Sequence, residues 1–377
     1  MLQEMVRVVK KGDENGNNMI IVLELPSGVE IIGLATKNHY GGEWDYGPSW
    51  NYVICGDRPF LLDTGRFGMG RILLEMMAAA GITARDLEYV IISHGHEDHD
   101  GGLFEIVQTT RAKVAAHSTY DSLIRSYPLK APSGPKKEFP ASCWHCFLPE
   151  SFSSQHCLIY QRERSMLKIE KIEEGPQMGG SLHTYHVPGH SPDALAIQLG
   201  GEVLFVGDTV LPDITPFPTR EESFYQLNGI LEPRYSTAQS IYGLRAYIRS
   251  LKKLKEIGKR SPGMLILPAH RLFYNNQWNG IELVKRLNEL IQHHIDRCAD
   301  ILRILGKKPK TSREIVLEHF EEPQLKGVGI YLAENEILSH LELLGLCEDV
   351  RSVDETRFVA TGTSNFASAI RSLEPGQ

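Results

Sequence analysis

Apolar residues fall in short runs at 6–9, 19–25 and 29–35, and clusters of Gly, Asn and Pro at 12–18 and 26–28 break them apart. This pattern predicts three strands joined by tight turns. Two more strands are expected at 51–55 and 59–62, the second ending in Asp63-Thr64-Gly65, and a helix at 70–80 leads to a strand at 87–92. The series β-β-α-β is that of a mixed sheet covered by helices. Further strands are read at 113–117, 182–187, 194–200, 203–206 and 264–267, and amphipathic helices near 236–255 and 280–305. Residues 39–50 are too irregular for a strand and too aromatic for a solvated linker. They are expected to pack over a cleft, with Trp44 and Tyr46 as substrate-wall residues. Periodicity is lost over 120–180, which reads as an insertion.

Several strands end in residues that carry chemistry. The run at 87–92 is followed by Ser93-His94-Gly95-His96-Glu97-Asp98-His99-Asp100. Imidazole is the commonest metal ligand, and Gly95 lets the loop bend so that both neighbouring histidines face one point. Asp63 closes a buried strand, which is costly unless its carboxylate is paired; orienting a metal-bound histidine is one such use. His190 follows the turn Pro188-Gly189, Asp208 follows 203–206, and His270 follows 264–267 in the same manner. His117, His183 and His186 read as structural sheet residues, and Asp193 as a turn-capping carboxylate.

With 377 residues, 42% hydrophobic and 23% charged, the chain has the composition of a globular protein of two to three domains. It has no apolar run of the roughly 18 residues a membrane span requires. The first residues lack the order of a secretory signal, so the cytoplasm is the expected location. Six cysteines do not form a disulfide framework at this length. Cys143 and Cys146, with Cys157 and His156 further on, could form an additional structural zinc site; the alternative is reduced thiols in an insertion. The net charge of −7 is uneven, because residues 311–377 hold 5 Lys and Arg against 12 Asp and Glu.

The ordered series Asp63, His94-x-His96-x-Asp98-His99, His190, Asp208 and His270 resembles the five-motif pattern of the metallo-β-lactamase fold superfamily, over roughly residues 19–290. The resemblance implies an α/β fold, an αββα sandwich with a binuclear site at one edge. One ion would be held by His94, His96 and His190, the other by Asp98, His99 and His270. Asp208 would bridge them, and Asp63 would sit behind the ligands. Two zinc ions per chain are implied, with iron or manganese as alternatives, and Asp98 and Asp63 are the candidate catalytic carboxylates. The zinc β-lactamases place a cysteine near the position of Asp208, and neither Cys55 nor Cys298 fits that role. Flavodiiron proteins replace the second loop histidine by glutamate, whereas His96 is retained here. The pattern is most similar to glyoxalase II and its hydrolase relatives.

Beyond a catalytic domain expected at 1–306, residues 307–377 read as two helices, the second at 335–344, and a hairpin. That order resembles a small winged helix, a tail found in the superfamily among endoribonucleases and thioester hydrolases. Its second helix carries Glu334, Glu336 and Glu342, and acidic groups repel phosphate, which argues against a nucleic-acid partner. The tail is therefore expected to be an interaction or homodimerisation module that also covers the active site. The expected function is metal-dependent hydrolysis of a small-molecule ester or thioester. The alternatives are an endoribonuclease or phosphodiesterase of the same fold, and a non-enzymatic metal-bound scaffold.

Overall fold

The computed structural model describes residues 2–39, 45–126, 154–327 and 329–376, with only the backbone of 154–158. An N-terminal turn of helix, α1 (Leu2–Met5), precedes an eight-stranded sheet built in chain order. Its strands are β1 (Val6–Lys10), β2 (Ile20–Glu24), β3 (Glu30–Thr36), β4 (Ser49–Ile54), β5 (Phe60–Leu62), β6 (Tyr89–Ile91), β7 (Lys113–His117) and β8 (Ile169–Ile172). The first five pair antiparallel and the last four parallel, with β5 common to both groups. The parallel strands need crossovers, which are supplied by α2 (Gly70–Ala79), α3 (Glu97–Asp100), α4 (Leu103–Thr110), α5 (Ser118–Arg125) and α6 (Ser154–Ser165).

The second sheet has the order β13-β12-β11-β10-β9. Its strands are β9 (Gly175–Gln177), β10 (Leu182–His186), β11 (Leu195–Leu199), β12 (Val203–Gly207) and β13 (Leu265–Pro268), with only β12 and β13 parallel. Helices α7 (Glu222–Leu227) and α8 (Gly243–Arg260) lie between the last two strands. A short hairpin, β14 (Phe273–Tyr274) and β15 (Gln277–Trp278), leads to α9 (Leu283–Leu305). The remaining chain forms β16 (Lys310–Thr311), α10 (Ser312–His319), α11 (Gly329–Leu346), β17 (Val350–Ser352), β18 (Arg357–Ala360) and α12 (Phe366–Ser372), with β18 central in a three-stranded sheet.

Side-chain alternation explains the layering. Ile21 and Leu23 of β2 and Trp50 and Tyr52 of β4 face Leu195, Ile197 and Phe205 of the second sheet, while Ile20 and Val22 face α2 and α4. On the far side, Leu204 and Val206 turn toward α8 and α9. Strands buried on both faces read as unbroken apolar runs, as these do. The result is the expected αββα sandwich.

Three expectations are corrected. Residues 120–180 read as aperiodic, yet α5, α6, β8 and β9 lie there. β8 and β9 are short, half-exposed edge strands, so their apolar signal is weak. The helix expected at 236–255 begins only at Gly243, after a 3₁₀ turn at Ala238–Ser240. The helix expected at 335–344 spans Gly329–Leu346, because it is buried on several faces and shows little amphipathic period. It shares one core with the sandwich: Ile337, Leu341 and Leu344 pack in the same cluster as Leu251, Leu287 and Ile301. Leu344→Ala should therefore cost about 2–5 kcal/mol. Chemical denaturation should still show one transition for the whole chain; two separated transitions would contradict the shared core.

Candidate metal centre

The site lies where β5, β6, β12 and β13 end. Because β5 and β6 run parallel, Asp63 and Ser93 emerge side by side. Asp63 has φ 61°, an uncommon conformation for a residue with a side chain. It aims the carboxylate along the sheet edge, where Oδ1 accepts the Ser93 N–H at 2.7 Å and Oδ2 accepts the Ser93 hydroxyl at 2.7 Å. The same Oδ2 stands 3.1 Å from His99 Nδ1. Asp63 therefore orients a histidine from behind. After extended His96 the chain turns into α3, which brings Asp98 and His99 round to the same edge. Thr64 clamps that turn through its N–H and hydroxyl, which donate to the His99 carbonyl at 2.6 and 2.9 Å. Only glycine fits at Gly101, where a Cβ would lie 2.0 Å from the Phe67 nitrogen.

Seven side chains converge in overlapping groups: His94, His96 and His190; His94, His99 and Asp208; Asp98, His99 and His270. His96 Nδ1 is 3.0 Å from His94 Nε2 and 3.1 Å from His190 Nε2. Asp208 Oδ2 stands 3.5 Å from His99 Nε2, 3.6 Å from His190 Nε2 and 3.4 Å from His270 Nε2. Asp98 reaches His99 Nε2 at 3.5 Å and His270 Nε2 at 3.2 Å. The outward nitrogens are held: His94 Nδ1 lies 3.1 Å from the Ser93 hydroxyl, His190 Nδ1 3.0 Å from the Phe217 carbonyl, and His270 Nδ1 3.0 Å from the Pro48 carbonyl. Carbonyl partners force a proton onto Nδ1 of His190 and His270, so Nε2 is the nitrogen that faces inward and can bind a metal once it is unprotonated.

The electrostatics ask for cations at this point. Burial would push Asp98 and Asp208 up, but His99 and His270 outweigh it and hold both carboxyls below their ordinary range. Burial would likewise push His99 and His270 down, yet the two carboxylates raise both, His270 to about 9. His94 and His190 are lowered, because burial outweighs the pull of the Asp208 and Asp98 carboxylates. Protonated His99 and His270 thus supply the positive charge in the metal-free chain. Even so, His99 Nε2 and Asp208 Oδ1 are buried without a hydrogen-bond partner. Imidazole and carboxylate donors with orphaned inward atoms fit divalent metal, and these seven residues would hold it.

Several supporting residues carry no motif. Asn38 Nδ2 donates to Asp98 Oδ2 at 2.8 Å. Asp193 Oδ2 accepts the Gly95 N–H at 2.8 Å, so it fastens the loop, and burial raises its carboxyl to about 6. Beneath the loop, Asp100 accepts from Tyr120 at 2.9 Å, from Tyr160, and from Arg164 Nη1 at 2.9 Å. Arg164 also donates to the Gly95 carbonyl at 3.2 Å. One of two arginines in a polar helix gives no signal of this role; Ser93 and Asn38 at strand ends give a faint one. Of the aromatic segment, Tyr46 has its ring 6.4 Å from that of His270, while Trp44 lies outside the described residues. His117 accepts the Thr119 N–H at a helix start, a structural role. Cys143 and Cys146, and the side chains of His156 and Cys157, also fall outside the described residues. A separate group, His294, Glu336 and His340, joins α9 to α11. There Arg297 pairs with Glu336 at 2.9 Å and neutralises the charge a cation would need.

Metal binding must displace the protons on His99 and His270. Metal affinity should rise with pH until about pH 9, and calorimetry in buffers of differing ionisation enthalpy should register proton release. In the metal-free chain, the raised His270 contributes stability that is complete below about pH 6.5 and lost as pH rises through about 9. Thermal unfolding of metal-free protein should show that loss across pH 6.5–9. A flat profile would contradict the charge pairing.

Comparison with known proteins agrees with this fold. A family model for the metallo-beta-lactamase superfamily matches residues 44–260. The probable metallo-hydrolase YqjP of Bacillus subtilis is 24% identical over 322 residues, spanning 80% of this chain and 89% of its own. The Beta-lactamase-like protein 2 homolog of Drosophila melanogaster is 20% identical over 313 residues, 82% of this chain and 87% of its own. A solved metallo-beta-lactamase family protein from Thermus thermophilus superposes with a TM-score of 0.60 at 21% identity, covering 89% of this chain and 99% of its own. A beta-lactamase domain protein from Burkholderia ambifaria gives 0.59 at 18% identity, covering 90% and 95%. With the family model matched over more than half of its residues and the sandwich in agreement, the chain belongs to the metallo-beta-lactamase superfamily.

Proposed function

We propose that this protein is a hydrolase that works with two divalent ions, zinc by preference, on an ester or thioester. The observation that carries the reading is Asp208, whose Oδ2 stands within 3.6 Å of histidines belonging to both ligand groups. A closed structural site has no use for a carboxylate shared in this way. When bound, such an ion pair supplies Lewis acidity toward a scissile carbonyl and a water acidified toward neutral pH. Asp98, kept ionised by His99 and His270 and steadied by Asn38, offers an acceptor that orients an attacking water. Asp63 keeps His99 in place, and the rings of Tyr46 and Phe217 wall the site beside His270 and His190.

The surroundings favour a carbonyl substrate over a phosphodiester. Arg220 and Arg271, on segments flanking the ligands, are already engaged: Arg220 with Glu222 and Glu342, Arg271 with Asp213 and the Tyr46 carbonyl. The tail, which we read as a winged-helix-like interaction module, packs α11 against the sandwich, so that helix is not free to enter a nucleic-acid groove. We place the reaction in the cytoplasm, where Cys55, Cys298 and Cys347 would stay reduced, as they are here.

Metal-loaded protein should hydrolyse acyl-thioester or aryl-ester probes, and His96→Ala should lower the rate about a hundredfold or more. Cleavage of single-stranded RNA with every thioester left intact would transfer the reading to a phosphodiester. Hydrolysis indifferent to His96→Ala and to chelators would sink it.

A further inference from the structure

The segment between Asp208 and α7 carries Thr215-Pro216-Phe217-Pro218-Thr219-Arg220. Phe217 does two things at the metal centre: its carbonyl lies 3.0 Å from His190 Nδ1, and its ring stacks on His96, 6.5 Å between centroids and 19° between planes. Pro216 and Pro218 lock their own φ, and Pro218 also confines the backbone of Phe217, so the three residues move as a stiff unit. Part of what holds that unit comes from the tail, beside Arg286 of α9, which donates to the Ile214 carbonyl at 2.8 Å. Asn335 of α11, buried, donates through Nδ2 to the Pro218 carbonyl at 3.1 Å. Further along the same helix, Glu342 accepts the N–H groups of Glu221 at 2.7 Å and Glu222 at 3.2 Å, with Arg220 Nε at 3.4 Å. Between these ends, Thr219 donates through its N–H and hydroxyl to the Gly189 carbonyl at 2.6 and 2.8 Å, next to His190 itself.

We propose that Asn335 and Glu342 are positioning residues for the metal centre: α11 clamps the segment at 218–222, and the rigid Phe217 transmits that clamp to His190 and His96. The C-terminal tail is in this sense part of the site rather than an appendage. α11 is anchored to make this effective, through Arg297 to Glu336 at 2.9 Å and His294 Nδ1 to His340 Nε2 at 3.0 Å. The inference rests on the binuclear reading above and deepens it, since it concerns the group formed by His94, His96 and His190.

The test uses full-length Asn335→Leu, which keeps the volume and removes the donor, beside the wild type. Glu334→Gln serves as control; Glu334 lies on the same helix but bonds Ser312 instead. Each is stripped of metal and titrated with Co²⁺ and Zn²⁺ against a chromophoric chelator, with visible absorption recorded. In Asn335→Leu the affinity of one equivalent should fall about tenfold and its Co²⁺ band should shift, the second equivalent and the control staying as in the wild type. Should Asn335→Leu not fold, Glu342→Gln, which loosens the other end of the clamp, is expected to give the same pattern. Wild-type affinity and spectrum in the folded variants would overturn the clamp alone. A wild-type chain that takes up fewer than two equivalents would overturn the binuclear reading and the clamp with it.

Discussion

The structure depends on keeping the imidazoles of five histidines and the carboxylates of Asp98 and Asp208 pressed together at one buried sheet edge. Groups of this kind repel one another or bury unsatisfied atoms unless cations join them, and the surrounding fold must hold them there. It does so with rigid, hydrogen-bonded partners behind the ligands: Asp63 behind His99, Ser93 behind His94, and the Phe217 and Pro48 carbonyls behind His190 and His270. The φ of 61° at Asp63 is a further cost, borne at the one strand end where a carboxylate must face sideways.

The two sheets contribute unequally. The first provides the loop whose spacing carries most of the ligands, and its parallel strands leave their carboxyl ends together at one edge, where α/β architectures gather sites. The second contributes single residues: His190 in the turn between β10 and β11, then Asp208 after β12 and His270 after β13, two strands that pair in parallel and so end at the same level. A buried layer then stabilises the loop from below. Arg164 ties Asp100 to the Gly95 carbonyl, and Tyr120 and Tyr160 complete the carboxylate's partners, so an ion pair that would be costly alone sits within a hydrogen-bonded network.

The C-terminal residues share the sandwich's core and reach its site through polar contacts on one helix. Three acidic side chains of α11 are engaged internally: Glu336 with Arg297, Glu342 with backbone N–H groups, Glu334 with Ser312 and Arg313. Other carboxylates of the tail, Glu318, Glu322, Glu348 and Glu355 among them, stay exposed.

What the sequence determined by itself was most of the sandwich and the residues gathered at its edge. Apolar runs bounded by Gly and Pro mark the strands because burial on both faces leaves no other pattern. The residues after those runs name the candidate ligands because a strand end is where a polar side chain can meet others at a sheet edge. The tertiary structure alone decided which residues support them. Asn38, Arg164, Tyr160 and Asn335 act across separations of 60, 64, 60 and 117 residues, and such contacts leave no local period or spacing to read. It also decided the length of α11 and the presence of β8 and β9, where the local pattern is faint and packing supplies the stability that propensity does not.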